Sequence, residues 1–441
     1  MSGVLPRRRL LLTLAVAALV ALPAGVLAGL CLGNACERAD RVQTRVPFCS
    51  LPEELRSRVA KGFRDARSPH VLAVAGRTPI SPDAGGAWPS LDDASVETVP
   101  LVFAGTGVSP AAEVPGGTTL DAVAPTLAEI IGLRRPHPGV RSGEPVPGIA
   151  SGQTPRLVVL VAWGDVSSRR LERRPQGWPV LRGLMEDGAG TLDAEPGSLP
   201  SDPAAILTTI GTGTLPSGHG ITGSLVRGDR GEVERAWERG APFSVVAALG
   251  DDLDEIHDQA PRIGLVAGDS SDRGLIGGNW YIDHDRDDVI IERSLEDQAS
   301  EAEALLASGY GSDPTTDMLA VAMTGPVREL DVTLGRVLLA ADRASGGSFV
   351  MAVTSTGSEG VRDPGALAVS DVEAEVELAV GADVIEASTP GGFFLDQDEM
   401  ARSELPDDRV VSALRNIKTA GGEPLFADVF PAIAVTFARY C

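Results

Sequence analysis

At 441 residues, 43% of them hydrophobic, the chain is long enough for one large α/β domain or two smaller ones with a substantial core. Its formal net charge of −23 excludes nucleic-acid binding, which needs a basic footprint to displace counterions. The same charge opposes adhesion to an anionic lipid surface.

The N-terminal segment 1–33 reads as a signal or membrane anchor. Arg7, Arg8 and Arg9 precede an apolar run from Leu10 to Gly33, broken by Thr13 and Pro23. Such a run is long enough to span a bilayer, with the arginines left inside. The Val26-Leu27-Ala28 stretch offers a small-residue cleavage site. Two localisations therefore stay open: a single-pass membrane protein with its C-terminal domain outside, or a secreted protein. Residues 34–49 form a cysteine-containing linker. Cys31, Cys36 and Cys49 cluster after the apolar run and Cys441 ends the chain, with no metal-binding spacing among them. In an oxidising compartment they suggest two disulfides, and Cys441 is expected to pair with Cys49 or Cys36.

Segment 50–150 begins the folded part. Residues 98–108 (TVPLVFAGTGV) read as a strand running into a glycine loop. Thr119–Leu133 reads as a helix, with Pro125 near its start and Gly132 after its end. The Pro/Gly-rich stretches 78–98 and 136–155 are linkers. Segment 155–441 opens with Arg156–Ala162 (RLVVLVA), a buried parallel strand by pattern. A helix over Pro179–Asp187, strands at Arg262–Ala267 and Met318–Met323, a helix carrying Leu330, Leu334, Val337, Leu338 and Ala341, and a strand at Ser348–Thr354 follow. Residues 372–395, with alternating Val, Glu and Ala before Pro-Gly-Gly, predict a β-hairpin. The alternation of strands and helices predicts an α/β fold with a mostly parallel sheet.

Residues 197–222 (GSLPSDPAAILTTIGTGTLPSGHGIT) carry the strongest signal. Ser201, Thr209, Thr212, Gly213, Pro216, His219, Gly220 and Ile221 stand at the spacing of a phosphoryl-transfer nucleophile segment. The stretch resembles the alkaline phosphatase superfamily, in its type I phosphodiesterase/nucleotide pyrophosphatase branch. That resemblance implies a three-layer αβα sandwich and a site where two metal ions clamp the phosphoryl oxygens. The nucleophile would sit at a helix N-terminus. The strand at 98–108 and helix at 119–133 are similar to the closing elements of such a domain, yet here they precede the core. This implies a circular permutation; an unrelated N-terminal α/β unit is the other reading.

Against the family pattern, the reactive groups are missing. The nucleophile slot, within Ser201-Asp202-Pro203, holds Pro203, which has no hydroxyl. Trp163 stands where the resemblance implies a metal-binding aspartate, and Thr356 and Gly357 replace an aspartate and a histidine. Asp202 and Pro203 instead read as N-cap and N1 of a helix. The sequence thus points to a catalytically inactive, exported or membrane-anchored protein of the cell envelope, without a cofactor. Its expected partners are the membrane, through the N-terminal segment, and an envelope protein or polymer. The alternative is a metal-dependent phosphodiesterase or phosphatase with zinc or manganese on relocated ligands: Asp165, Asp202, Asp283 and His284.

Overall fold

Leu157–Gly164 (LVVLVAWG) is apolar at almost every position, and a strand of that pattern is stable only with both faces covered. In the computed structural model it is the central strand of a seven-stranded sheet. The structure describes residues 48–81, 86–91, 97–110, 112–238, 244–278, 280–281, 287–357 and 366–441. The chain divides into two units, Met1–Ser50 and Leu51–Cys441. Of the first, the predicted membrane segment lies outside the described residues, as do Cys31 and Cys36. Cys49 and Cys441 are disulfide-bonded. Among the described residues, no helix is long and apolar enough to cross a membrane.

In chain order the principal elements of the larger unit are α1 (Glu53–Gly62), β1 (Val71–Ala75), β2 (Val99–Gly105), α2 (Val123–Ile130), β3 (Leu157–Gly164), α3 (Pro179–Asp187) and β4 (Ala189–Ala194). Then come α4 (Pro203–Thr212), α5 (Leu249–Ile256), β5 (Ile263–Ala267), β6 (Asp288–Ile291), α6 (Leu295–Ala307), β7 (Asp317–Thr324), α7 (Val327–Ser345) and β8 (Phe349–Ser355). The chain closes with α8 (Val369–Val380), β9 (Ile385–Thr389), β10 (Gly392–Leu395), α9 (Asp407–Asn416), β11 (Phe426–Pro431) and α10 (Ile433–Thr436).

The main sheet has the order β4-β2-β8-β3-β7-β5-β6. Strand β3 pairs in parallel with β7 and β8, and β5 in parallel with β7 and β6, whereas β2 is antiparallel to both its neighbours. Pro100 cannot donate to a ladder, and the register of β2 against β4 shifts between Val99 and Leu101. One face packs Leu127, Ile206, Ile210 and Leu253 of α2, α4 and α5 against the sheet. The other packs Leu181, Leu306, Leu330, Leu334 and Val337 of α3, α6 and α7. With helices on both faces of a mostly parallel sheet, the architecture is the three-layer αβα sandwich expected from the sequence.

A second sheet, antiparallel, has the order β9-β10-β1-β11. It packs under α8 and α9 around Trp88, Phe393 and Phe426, whose ring centroids are 5.4 to 6.4 Å apart. Segment 50–150 is thus divided between the sheets, giving β1 to the small one and β2 to the main one.

Two expectations need correction. Residues 372–395 are not one hairpin: Val369–Val380 is a helix, with Val369, Val372 and Val376 buried at spacings of three and four. The hairpin is confined to β9 and β10 around the Pro-Gly-Gly turn. The helix expected over Thr119–Leu133 is shorter, a 3-10 turn at Leu120–Ala122 followed by α2.

Candidate functional site

Helix α4 is built by its ends. Asp202 is the N-cap, in extended conformation, and Pro203 is N1, where a missing N–H costs nothing. Gly213 closes the helix at φ 73°, a left-handed conformation that a Cβ disfavours. Each of Ala204 to Thr212 is buried.

The Asp202 side chain has no exposure at all. Its Oδ1 accepts from the Ala204 N–H at 2.9 Å and the Ser224 hydroxyl at 2.9 Å. The Thr389 hydroxyl lies 3.4 Å from Oδ2. Desolvation pushes its pKa up, against the hydrogen bonds from Ser224 and Ala204. The carboxylate therefore caps a helix from inside the protein and is not presented to solvent as a nucleophile.

Three surrounding pieces close over this segment. Helix α1 lies against the loop before it so closely that a Cβ on Gly62 would sit 1.8 Å from the Leu199 carbonyl oxygen. The Ala87 N–H donates to the Ser201 carbonyl at 3.0 Å, pairing Ala87 with the loop before α4. The β9–β10 turn covers Pro200. Phe63, Leu72, Pro200, Thr222, Thr389 and Phe430 help line a residual cavity of about 20 Å³, room for roughly one water. The Thr222 hydroxyl there has no hydrogen-bond partner among the described residues. A larger open groove, about 510 Å³, lies beside α1 between Glu53, Arg58, Lys61, Thr119 and Glu195. Arg58 crosses it, bonding Glu54 at 3.1 Å and Glu195 at 2.8 Å.

Ligands in open α/β sheets bind beyond the carboxyl ends of the strands. At that edge Trp163 pairs in register with Met323 and Ser355 on either side. Trp163 is fully buried and packs with the α3/α7 face of the core. Its indole N–H finds no partner among the described residues. After it the chain turns at Asp165, at φ 57°. The Asp165 N–H donates to the Thr356 hydroxyl at 3.2 Å, and its carbonyl accepts from Arg170 at 2.6 Å. The Thr356 N–H in turn donates to the Trp163 carbonyl at 2.9 Å. Thr356 and Trp163 thus stitch two strand ends together by backbone and hydroxyl. Gly357 follows at φ 85°.

These residues do not fit a pair of metal ions. An indole, a hydroxyl occupied by a backbone N–H and a glycine offer no anionic donor. Among the described residues, no group of three or more His, Cys, Asp or Glu could hold a metal ion. Of the relocated set, Asp283 and His284 lie outside the described residues. Asp165 and Asp202 share none of the hydrogen-bond partners given above.

His219 is also inside the protein. Its Nδ1 accepts from the Ile221 N–H at 3.1 Å, so Nε2 carries the proton and donates to the Thr209 hydroxyl at 3.1 Å. Burial lowers its pKa to about 3. Sequence reasoning missed the polar cluster at the other end of α4. Arg135 and Arg141 both bind Asp252, at 2.6 and 2.8 Å, and Arg135 also donates to the Thr212 and Ala247 carbonyls. The last carbonyl of α4, that of Thr212, is satisfied there by a guanidinium.

Fold and site together define a three-layer α/β protein in which Asp202 caps a buried helix and Trp163 and Thr356 join two strand ends of the main sheet. No family model matches the sequence, and no curated protein matches it. Among solved structures, the chain is similar to wild-type alkaline phosphatase PafA, at 14% identity over 59% of this chain and 76% of that one, TM-score 0.44. It is also similar to phosphonoacetate hydrolase from Sinorhizobium meliloti 1021, at 15% identity over 64% of this chain and 82% of that one, TM-score 0.32. Both are members of the alkaline phosphatase superfamily.

Proposed function

We propose that this chain is a catalytically inactive, alkaline phosphatase-like protein of the cell envelope, held there by its N-terminal segment and acting by binding a protein or polymer. The observation that carries the reading is the Asp202-Pro203 pair in the nucleophile slot. It supplies no hydroxyl, and the neighbouring carboxylate is consumed as a buried helix cap. Trp163, Thr356 and Gly357 support it, because these three positions, at the ends of β3 and β8, lack metal-binding donors. The antiparallel strand β2, placed before the nucleophile segment in sequence but inside the main sheet, supports a permuted chain order. The open groove beside α1 is lined by side chains of both charges, which suits a polar partner.

Calorimetric titration of Zn²⁺, Mn²⁺ and Ca²⁺ into the full-length protein tests the reading. No stoichiometric heat is expected. Tight binding of one or two ions, weakened by Asp165→Ala, would replace it with the metal-dependent hydrolase.

A further inference from the structure

The cavity beside Pro200 has a mixed wall. Val59, Phe63, Leu72 and Phe430 make much of it apolar, while Thr222 and Thr389 bring two hydroxyls to it. Both threonines are more than nine-tenths buried, at 5% and 7% exposed. The Thr222 hydroxyl has no hydrogen-bond partner among the described residues. That of Thr389 has one, its donation to Asp202 Oδ2, and at 3.4 Å this is long for an O–H···O bond. Donating its proton leaves the lone pairs of the Thr389 oxygen free to accept. The polar groups are neighbours. A Cβ on Gly223, the residue after Thr222, would lie 3.2 Å from both the Thr389 hydroxyl and Asp202 Oδ2.

We propose that this cavity is a binding site for a single water molecule, held between the Thr222 and Thr389 hydroxyls. Its volume, about 20 Å³, suits one water and nothing larger. A cavity of that size with a purely apolar wall stays dry. Here dryness would leave a buried hydroxyl unpaired, which costs more than ordering one water. The directions of the bonds follow from the carboxylate at the end of the row. The water accepts from Thr222 and donates to the Thr389 oxygen, and Thr389 donates to Asp202 Oδ2. Such a row ends on an acceptor, and each bond in it polarises the next. The water also has a structural role. Thr222 belongs to the chain that follows α4, whereas Thr389 ends β9 of the small sheet. A molecule bonded to both fastens the small sheet to the segment that carries the Asp202 cap.

The test is a crystal structure of the full-length protein that shows ordered water, together with oxygen-17 relaxation dispersion in solution, which counts long-lived internal waters. Thr222→Val removes the hydroxyl at nearly constant shape, and Thr222→Ser keeps it. The wild-type map should show one water about 2.8 Å from each threonine hydroxyl. Thr222→Ser should retain it. Thr222→Val should lose it, and its dispersion amplitude should fall by one water. Should Thr222→Val fail to fold, the wild-type and Thr222→Ser maps decide. The proposal is overturned by a wild-type map with no density there, or by one in which the Thr222 hydroxyl turns onto a protein acceptor. Xenon entering the wild-type cavity under pressure would show that it is dry, and would overturn it too. So would a Thr222→Val protein whose dispersion matches the wild type.

Discussion

Asp202, the fully buried N-cap of α4, is a structural residue whose removal should be felt in stability. Asp202→Ala strips the acceptor from the Ala204 N–H and the Ser224 hydroxyl in a site closed to water. The expected loss is about 1–3 kcal/mol of unfolding free energy, read from urea denaturation, with Asp202→Asn recovering part of it. An unchanged midpoint would mean the carboxylate is not a cap. His219 gives a pH signature. Its folded pKa of about 3 lies below the ordinary 6.5, so below pH 6.5 the unfolded chain takes up a proton that the folded chain refuses. Stability from this group is complete above pH 6.5 and falls as pH drops towards 3, by about 2 kcal/mol at pH 5. Asp202, whose pKa is raised, contributes in the opposite sense. The clean readout is therefore the comparison with His219→Asn, in which the drop in Tm between pH 7 and 5 should shrink. At this scale Trp163, Thr356 and Gly357 were legible because each falls at the end of an unmistakable apolar strand. The Arg135–Asp252–Arg141 cluster was not, since its partners are 117 and 111 residues apart in sequence.

Among the elements, α1 is seated directly on the loop that leads into α4. A methyl group at Gly62 would collide with the Leu199 carbonyl, which is backbone and cannot swing aside. Gly62→Ala should cost about 1–3 kcal/mol, measured by thermal or urea unfolding, and should raise proteolysis of the 197–202 loop as the helix lifts. A variant as stable and resistant as the wild type would show that α1 is not seated there. The same scale explains where the sequence misled. In Val372-Glu373-Ala374-Glu375-Val376, apolar residues recur at every second position, the period of a strand. Adding Val369 turns the pattern to three and four, the spacing the helix buries. Short segments satisfy both periods, and tertiary burial chooses. The long strands β3, β7 and β8, apolar throughout, left no such choice.

For the whole molecule, the central sheet and its two helical layers were readable from the alternation of patterns. The second sheet was not, because it gathers β1 with strands more than three hundred residues later, a pairing that no local pattern encodes. In that assembly β1, β11 and the β9–β10 turn join α1 in lining the cavity beside Pro200. At the start of α4 and the ends of β3 and β8 the molecule is filled with packing and hydrogen bonds. The most direct test is hydrolysis of bis-p-nitrophenyl phosphate by the full-length protein, with Zn²⁺ or Mn²⁺ added and Asp202→Ala alongside. No release above the metal-only blank is expected for either protein. Saturable, metal-dependent turnover by the wild type that Asp202→Ala abolishes would contradict it.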